Sequence, residues 1–307
     1  MPRISTLVAK LTRALGSHHQ ALAELRWIKE ALSKHPDPSP GLLAEKLLKR
    51  ASGWPLQYLL GSQPFGSLDI ITRPPTLIPP VPESGPETEY WTLRLARILR
   101  PHTSEDIPFR VLDLCTGTAC IPLLLCASLP PRSISALAVD ISPAAVGLAD
   151  ENITRCGFRN SDGNIVHAEC LDIFDRGFVR SLKRCVNTWE PFNVLTANPP
   201  YIPREEYEKL SPTVRAFEDP LALLGEAPSV AASSADQMEY RRLGLSFYVQ
   251  IASLIQNEGL VRPGGHIALE VGHTQAPIVK RMLRPIVRSA DIWTDPWGVE
   301  RVVYARM

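Results

Sequence analysis

No run of about 18 apolar residues occurs in the 307-residue chain, so no segment of it is suited to a helical membrane span. An excess of charge of one sign is also missing. Lys+Arg 33 against Asp+Glu 32 leaves a net charge of +1, which gives no overall electrostatic footprint for nucleic acid. The six cysteines, Cys115, Cys120, Cys126, Cys156, Cys170 and Cys185, contain no C-x-x-C pair. That spacing excludes a clustered zinc site or a disulfide framework and leaves reduced, mostly buried thiols. The seven histidines, including adjacent His18 and His19, show no paired ligand spacing, so no metal is expected. Ser246 lacks the flanks of a nucleophile elbow, and no internal repeat is present. Acids are absent before Glu24, while Arg3, Lys10 and Arg13 are basic. Residues 1–23 therefore read either as a mitochondrial targeting leader or as a first helix with one-sided charge.

What is present is enough apolar residue, 45% of the chain, to bury one large domain and a smaller one. Leu7, Leu11 and Leu15, then Leu22, Leu25, Ile28 and Leu32, recur at helical spacing. After the proline-rich break at residues 35–40, a further helix runs from Leu42 to Leu48. Residues 1–55 thus form a small helical domain. Residues 56–87 read as a β-rich connector that ends in six prolines between Pro74 and Pro86, a composition incompatible with helix or central strand.

From residue 88 to 307 the rhythm becomes strand–helix alternation. Strands are expected at 110–114, 135–140, 164–167, 192–197, 266–271 and 301–305, and helices at 89–99, 121–129, 143–156 and 243–256. The pattern implies an α/β domain with a mostly parallel sheet covered on both faces. Ligands of such sheets bind at the carboxyl ends of the strands.

Three acids stand at those ends. Asp113 closes the first strand and leads through Cys115, Thr116, Gly117, Thr118 and Ala119 into a helix. A small-residue turn of this kind lets backbone approach a ligand closely. Asp140 ends the second strand, where a carboxylate can accept both hydroxyls of a ribose. Asp172 follows the third strand, placed to face an adenine amine with Ile173 against the ring. A lone strand-end aspartate is more often a cap or turn former; three at successive strand ends indicate an adenosine ligand. The turn lacks G-x-G-x-x-G, which argues against a pyrophosphate cradle and favours S-adenosylmethionine.

The strongest signal is Asn198-Pro199-Pro200-Tyr201, directly after a buried strand. The two prolines remove two donors and stiffen the backbone, and the residue before a proline avoids helix. The Asn198 side chain and the Pro199 carbonyl are then fixed acceptors for the two N–H groups of an amide or aromatic amine, with Tyr201 packing on the planar group. Methylation of such a poorly nucleophilic nitrogen needs positioning and electrostatics more than a general base.

The chain resembles the glutamine N5-methyltransferases of class I release factors, the HemK or PrmC family. The resemblance rests on Pro55–Gly61 with Phe65, Pro86–Glu89, Asp113–Ile121, Asn198–Ile202, Phe217–Gly225, Gly244–Tyr248, Pro263–Gly265, Glu270–Gly272 and Gly298–Val303. It implies a class I S-adenosylmethionine-dependent methyltransferase fold, Rossmann-like with a mostly parallel seven-stranded sheet, preceded by a small helical domain that helps dock the release factor. It further implies a Gly-Gly-Gln glutamine held by Asn198, Pro199, Pro200 and Tyr201. Cofactor contacts would come from Cys115 to Ala119, Asp140, Ile173 and Asn198. The Asp-Leu-Cys-Thr-Gly wording resembles the organellar form, so a mitochondrial matrix location is expected over a cytoplasmic one.

Three departures from the family pattern stand out: Ala119 where glycine is usual, five additional residues at Pro80–Ser84, and Glu218-Asp219-Pro220 without the usual arginine. The tetrapeptide is shared with enzymes that methylate adenine amines in DNA or RNA, but no target-recognition domain or basic face is visible. Ala119 and the altered proline segment also leave open a methyltransferase fold that only binds a partner.

Overall fold

The computed structural model describes residues 3–34, 38–79, 87–104, 107–160, 162–186, 188–227 and 235–307. The Pro80–Ser84 insertion, with Gly85 and Pro86, lies outside the described residues.

The chain opens with α1 (Ile4–Leu15), α2 (His18–Ser33) and α3 (Pro40–Ala51). Their apolar stripes meet in a cluster of their own, with Leu11, Ala21 and Ile28 fully buried. Ser17 and Ser39 cap α2 and α3 by accepting the N–H of Gln20 and Leu42, which satisfies donors a helix start leaves open. Within this unit Arg50 grips the buried carboxylate of Glu24 with two hydrogen bonds, of 2.7 and 3.1 Å.

The connector differs from expectation at its start. Leu56–Leu60 is a short helix, α4, and the strands are β1 (Ser62–Phe65) and β2 (Leu68–Ile71), paired antiparallel. A brief apolar run suits strand or helix equally. Here Gly61, at φ 87°, closes the helical turn.

The remaining elements are α5 (Glu87–Leu99), β3 (Phe109–Leu114), α6 (Cys120–Ser128), β4 (Ile134–Asp140), α7 (Pro143–Arg155), β5 (Ile165–Cys170), α8 (Phe178–Arg184) and β6 (Phe192–Ala197), followed by the short helices α9 (Arg204–Tyr207), α10 (Pro212–Phe217) and α11 (Pro220–Leu223). Then come α12 (Ala235–Arg242), α13 (Ser246–Glu258), β7 (Val261–Glu270), α14 (Ala276–Leu283), β8 (Ser289–Thr294) and β9 (Glu300–Arg306). The sheet is seven-stranded in the order β5-β4-β3-β6-β7-β9-β8. Every pairing from β5 across to β7 is parallel, and only β9 runs against its neighbours. This is the class I methyltransferase architecture. β8 was not expected from the sequence. It is a half-exposed edge strand, Ser-Ala-Asp-Ile-Trp-Thr, less apolar than the buried central strands.

Alternate residues of the parallel strands feed two cores. Val111, Ala136 and Ala138 pack under α5, α6 and α7. Leu112, Leu137 and Val139 pack under α8, α13 and α14. Chain order reverses between β3 and β6, which leaves a crevice at their carboxyl ends where a ligand can enter.

Candidate active site

A cavity of about 230 Å³ opens in that crevice, at the ends of β3, β4, β5 and β6. Of the sequence-predicted residues, it brings together Cys115, Gly117, Asp140, Asp172, Ile173 and Asn198, with Pro200 beside them.

The turn after β3 is tightly wound. Cys115, Gly117 and Ala119 have φ of 57°, 55° and 61°, all left-handed. Such a conformation is natural for glycine and costs another residue roughly 1–2 kcal/mol. Asp113, Thr116, Thr118 and Ala119 are not on the cavity wall; all are buried behind it. The Asp113 carboxylate accepts hydrogen bonds from the Thr116 and Thr196 hydroxyls at 2.5 Å each. Burial pushes its pKa up to about 7, against the pull of those two hydroxyls. It holds the turn against β6 from within. The Ala119 methyl belongs to the apolar cluster under α6, so it packs into protein and not toward the cavity.

Asp140 braces this turn from the end of β4. Its Oδ2 accepts the N–H of Gly117 and its Oδ1 the N–H of Ser142, both at 2.9 Å. Burial raises its pKa while these backbone donors lower it. Each oxygen keeps further acceptor capacity, so the carboxylate can still take two ribose hydroxyls. Asp172 accepts the N–H of Phe174 at 2.8 Å. Ile173, Phe174 and Phe247 provide apolar wall, and Gln250 fixes the Ile173 carbonyl at 2.6 Å. A carboxylate to accept from hydroxyls, beside apolar surface for a flat ring, suits an adenosine moiety.

Asn198 follows β6 at the cavity wall, and Pro199 and Pro200 are buried. Tyr201 sits behind them, its ring so close to Gly272 that a Cβ there would lie 2.8 Å from it. Burial, and then the nearby carboxylates of Glu270 and Glu87, drive the Tyr201 phenol pKa upward, so it stays neutral.

Sequence reasoning missed several residues. Asp219 lines the cavity and joins Pro75, also on its wall, donating its N–H to the Pro75 carbonyl at 3.0 Å. Glu226 and Arg204, also on the wall, form a paired ion bridge at 3.0 and 2.8 Å. Asn152, fully buried on α7, donates to the carbonyls of Thr118 and Ile71 and accepts the Ile71 N–H, joining the turn to β2. The Phe217–Gly225 segment was visible as a motif, but nothing in its wording says which side chain reaches the crevice. His273, just after β7, is exposed and does not line the cavity.

No protein-family model matches the chain. Curated relatives do. The mitochondrial MRF1 N(5)-glutamine methyltransferase MTQ1 of Saccharomyces cerevisiae is 34% identical over 235 residues, covering 74% of this chain and 69% of that protein. The chain belongs to the release-factor glutamine N5-methyltransferase family. A probable MRF1 mitochondrial N(5)-glutamine methyltransferase of Schizosaccharomyces pombe is 32% identical over 291 residues, covering 92% and 86%. The release factor glutamine methyltransferase of Geobacter sulfurreducens is 31% identical over 261 residues, covering 84% and 75%. Within this family of methyltransferases, Asn198 to Tyr201 and the cavity beside them form the candidate active site.

Proposed function

We propose that this chain transfers a methyl group from S-adenosylmethionine to the side-chain nitrogen of the glutamine in the Gly-Gly-Gln segment of a class I release factor in the mitochondrial matrix. The observation that carries the reading is the presence of Asn198 and Asp140 in the lining of one cavity. One provides an amide-binding group and the other a ribose-binding carboxylate.

S-adenosylmethionine, when bound, supplies an electrophilic methyl on a positively charged sulfur. Asp140 would hold its ribose hydroxyls, Ile173 and Phe174 its adenine ring, and the backbone of Cys115 to Gly117 would lie along its remaining length. The Asn198 side-chain oxygen and the Pro199 carbonyl would each accept one N–H of the substrate amide. This fixes the nitrogen in line for transfer and favours the positive charge it gains. Tyr201 would support the planar group from behind. None of these roles requires a base to remove a proton before the methyl moves.

The separate apolar core of α1 to α3 supports residues 1–55 as a docking domain for the release factor. Trp54, at its end, meets Phe217 with ring centroids 4.7 Å apart and links it to the Asp219 wall. The acid-free, basic start of the sequence and the two yeast relatives with mitochondrial names support the location. The test is methyl transfer from labelled S-adenosylmethionine to a folded mitochondrial release factor, run beside duplex DNA and RNA. Label on the protein alone is expected; label on nucleic acid would favour the adenine-directed chemistry.

A further inference from the structure

Beyond the four residues of the tetrapeptide, its downstream end is held by a clamp. Gln275, buried just before α14, spends its whole amide on three backbone groups from three segments. Its Nε2 donates to the carbonyls of Tyr201 and Leu243, both at 2.8 Å, and its Oε1 accepts the N–H of Gly272 at 3.0 Å. Only a carboxamide of this length offers two donors and an acceptor together.

Three glycines close the same clamp. A Cβ on Gly244, which has φ of 70°, would lie 2.3 Å from the Tyr201 carbonyl oxygen. One on Gly225 would lie 2.2 Å from the Gly244 carbonyl oxygen, and one on Gly272 2.8 Å from the Tyr201 ring. The next residue, Ile202, donates to Leu223 at 2.9 Å and accepts from Gly225 at 3.0 Å. The two prolines stiffen the tetrapeptide internally, but they do not place it relative to the rest of the cavity. Gln275 and Gly244 do that, both at the Tyr201 carbonyl.

We infer that Gln275 is a positioning residue for methyl transfer: through the Tyr201 carbonyl it sets the distance and angle at which Asn198 and Pro199 present the substrate nitrogen. This rests on the reading of Asn198 to Tyr201 as the glutamine-binding segment. Gln275 is not on the cavity wall, so it acts through Tyr201 and leaves the cofactor's own contacts alone.

The test compares Gln275→Met, which keeps length and loses every hydrogen bond, with Gly244→Ala, whose added methyl would crowd the same carbonyl. Asn198→Ala is run as the reference. S-adenosylmethionine affinity and the number of binding sites come from calorimetry, and kcat per binding site from transfer to a release factor. Displacements of an ångström at a reacting centre cost up to about a hundredfold. The expected result is kcat per site down by roughly 10- to 100-fold in both variants, with cofactor affinity close to wild type. A merely structural role would lower the number of sites and leave kcat per site unchanged. That outcome, with Asn198→Ala inactive, overturns the positioning role alone. A loss of cofactor affinity matching the loss of rate also overturns it. Full activity in Asn198→Ala would instead remove the reading on which it rests.

Discussion

Asp140 receives the backbone N–H of Gly117 on its Oδ2 at 2.9 Å, so the carboxylate at the end of β4 fixes the turn at the end of β3. The same side chain therefore shapes the glycine turn and faces the cavity. Asp140→Ala should weaken S-adenosylmethionine binding by about ten- to a hundredfold, the worth of one or two charge-assisted hydrogen bonds. At saturating cofactor the rate should change far less than the affinity. Calorimetry and saturation kinetics separate the two, and an unchanged dissociation constant would remove Asp140 from the cofactor site.

Asn198 makes the opposite prediction. Asn198→Ala should lower kcat by more than about a hundredfold while the protein still folds and binds cofactor, because the side chain sits at a cavity wall and not within either core. Circular dichroism and calorimetry establish the first part, and a transfer assay the second. Near-normal turnover would sink the amide-positioning account.

These two residues were legible because their chemistry is local: an acid at the end of an apolar run, and an asparagine locked by two prolines. The buried strands β3, β4 and β6 were legible for a related reason, since a strand covered on both faces carries a mostly apolar run. β8 has no such run, and Leu56–Leu60 is too short to show a period. Asp113 was expected at the ligand and lies behind the cavity wall, because whether a strand-end acid faces out or in depends on partners such as Thr196, which is distant in sequence. Gln275 and Asn152, and the place of Asp219 at the cavity, were invisible for the same reason. Each bonds backbone of a segment far away in sequence, which only the fold brings near.

Ala119 tests the left-handed turn. With φ of 61° it pays a conformational cost that glycine does not, yet its methyl also contributes to the core under α6. The backbone term, roughly 1–2 kcal/mol, exceeds that of one buried methyl, about 0.8 kcal/mol. Ala119→Gly should therefore leave stability equal or up to about 1 kcal/mol higher. Cofactor affinity should not change, because residue 119 is off the cavity wall. Denaturant melts check the first and calorimetry the second.

Glu270 gives a pH dependence. Its Oε2 accepts from the Thr88 hydroxyl at 2.6 Å and the Trp91 indole at 2.7 Å, and burial raises its pKa to about 7. The folded state therefore holds this proton more tightly than the unfolded chain, whose glutamate titrates near pH 4.3. The stability it contributes is complete below about pH 4 and is lost as pH rises through about 7. Glutamine keeps the acceptor and cannot ionise. Glu270→Gln should thus gain stability relative to wild type as pH goes from about 5 to about 8, by on the order of 1–3 kcal/mol. A difference that stays constant across that range would contradict the assignment.

The most direct measurement is to map the transferred group. The purified protein is incubated with labelled S-adenosylmethionine and either an intact mitochondrial release factor or the same factor with Gly-Gly-Ala in place of Gly-Gly-Gln, and the products are digested and analysed by mass spectrometry. One methyl on the glutamine side chain of the first, and none on the second, is the predicted result. Equal labelling of both factors, or no labelling of either by protein that binds the cofactor, would contradict the account.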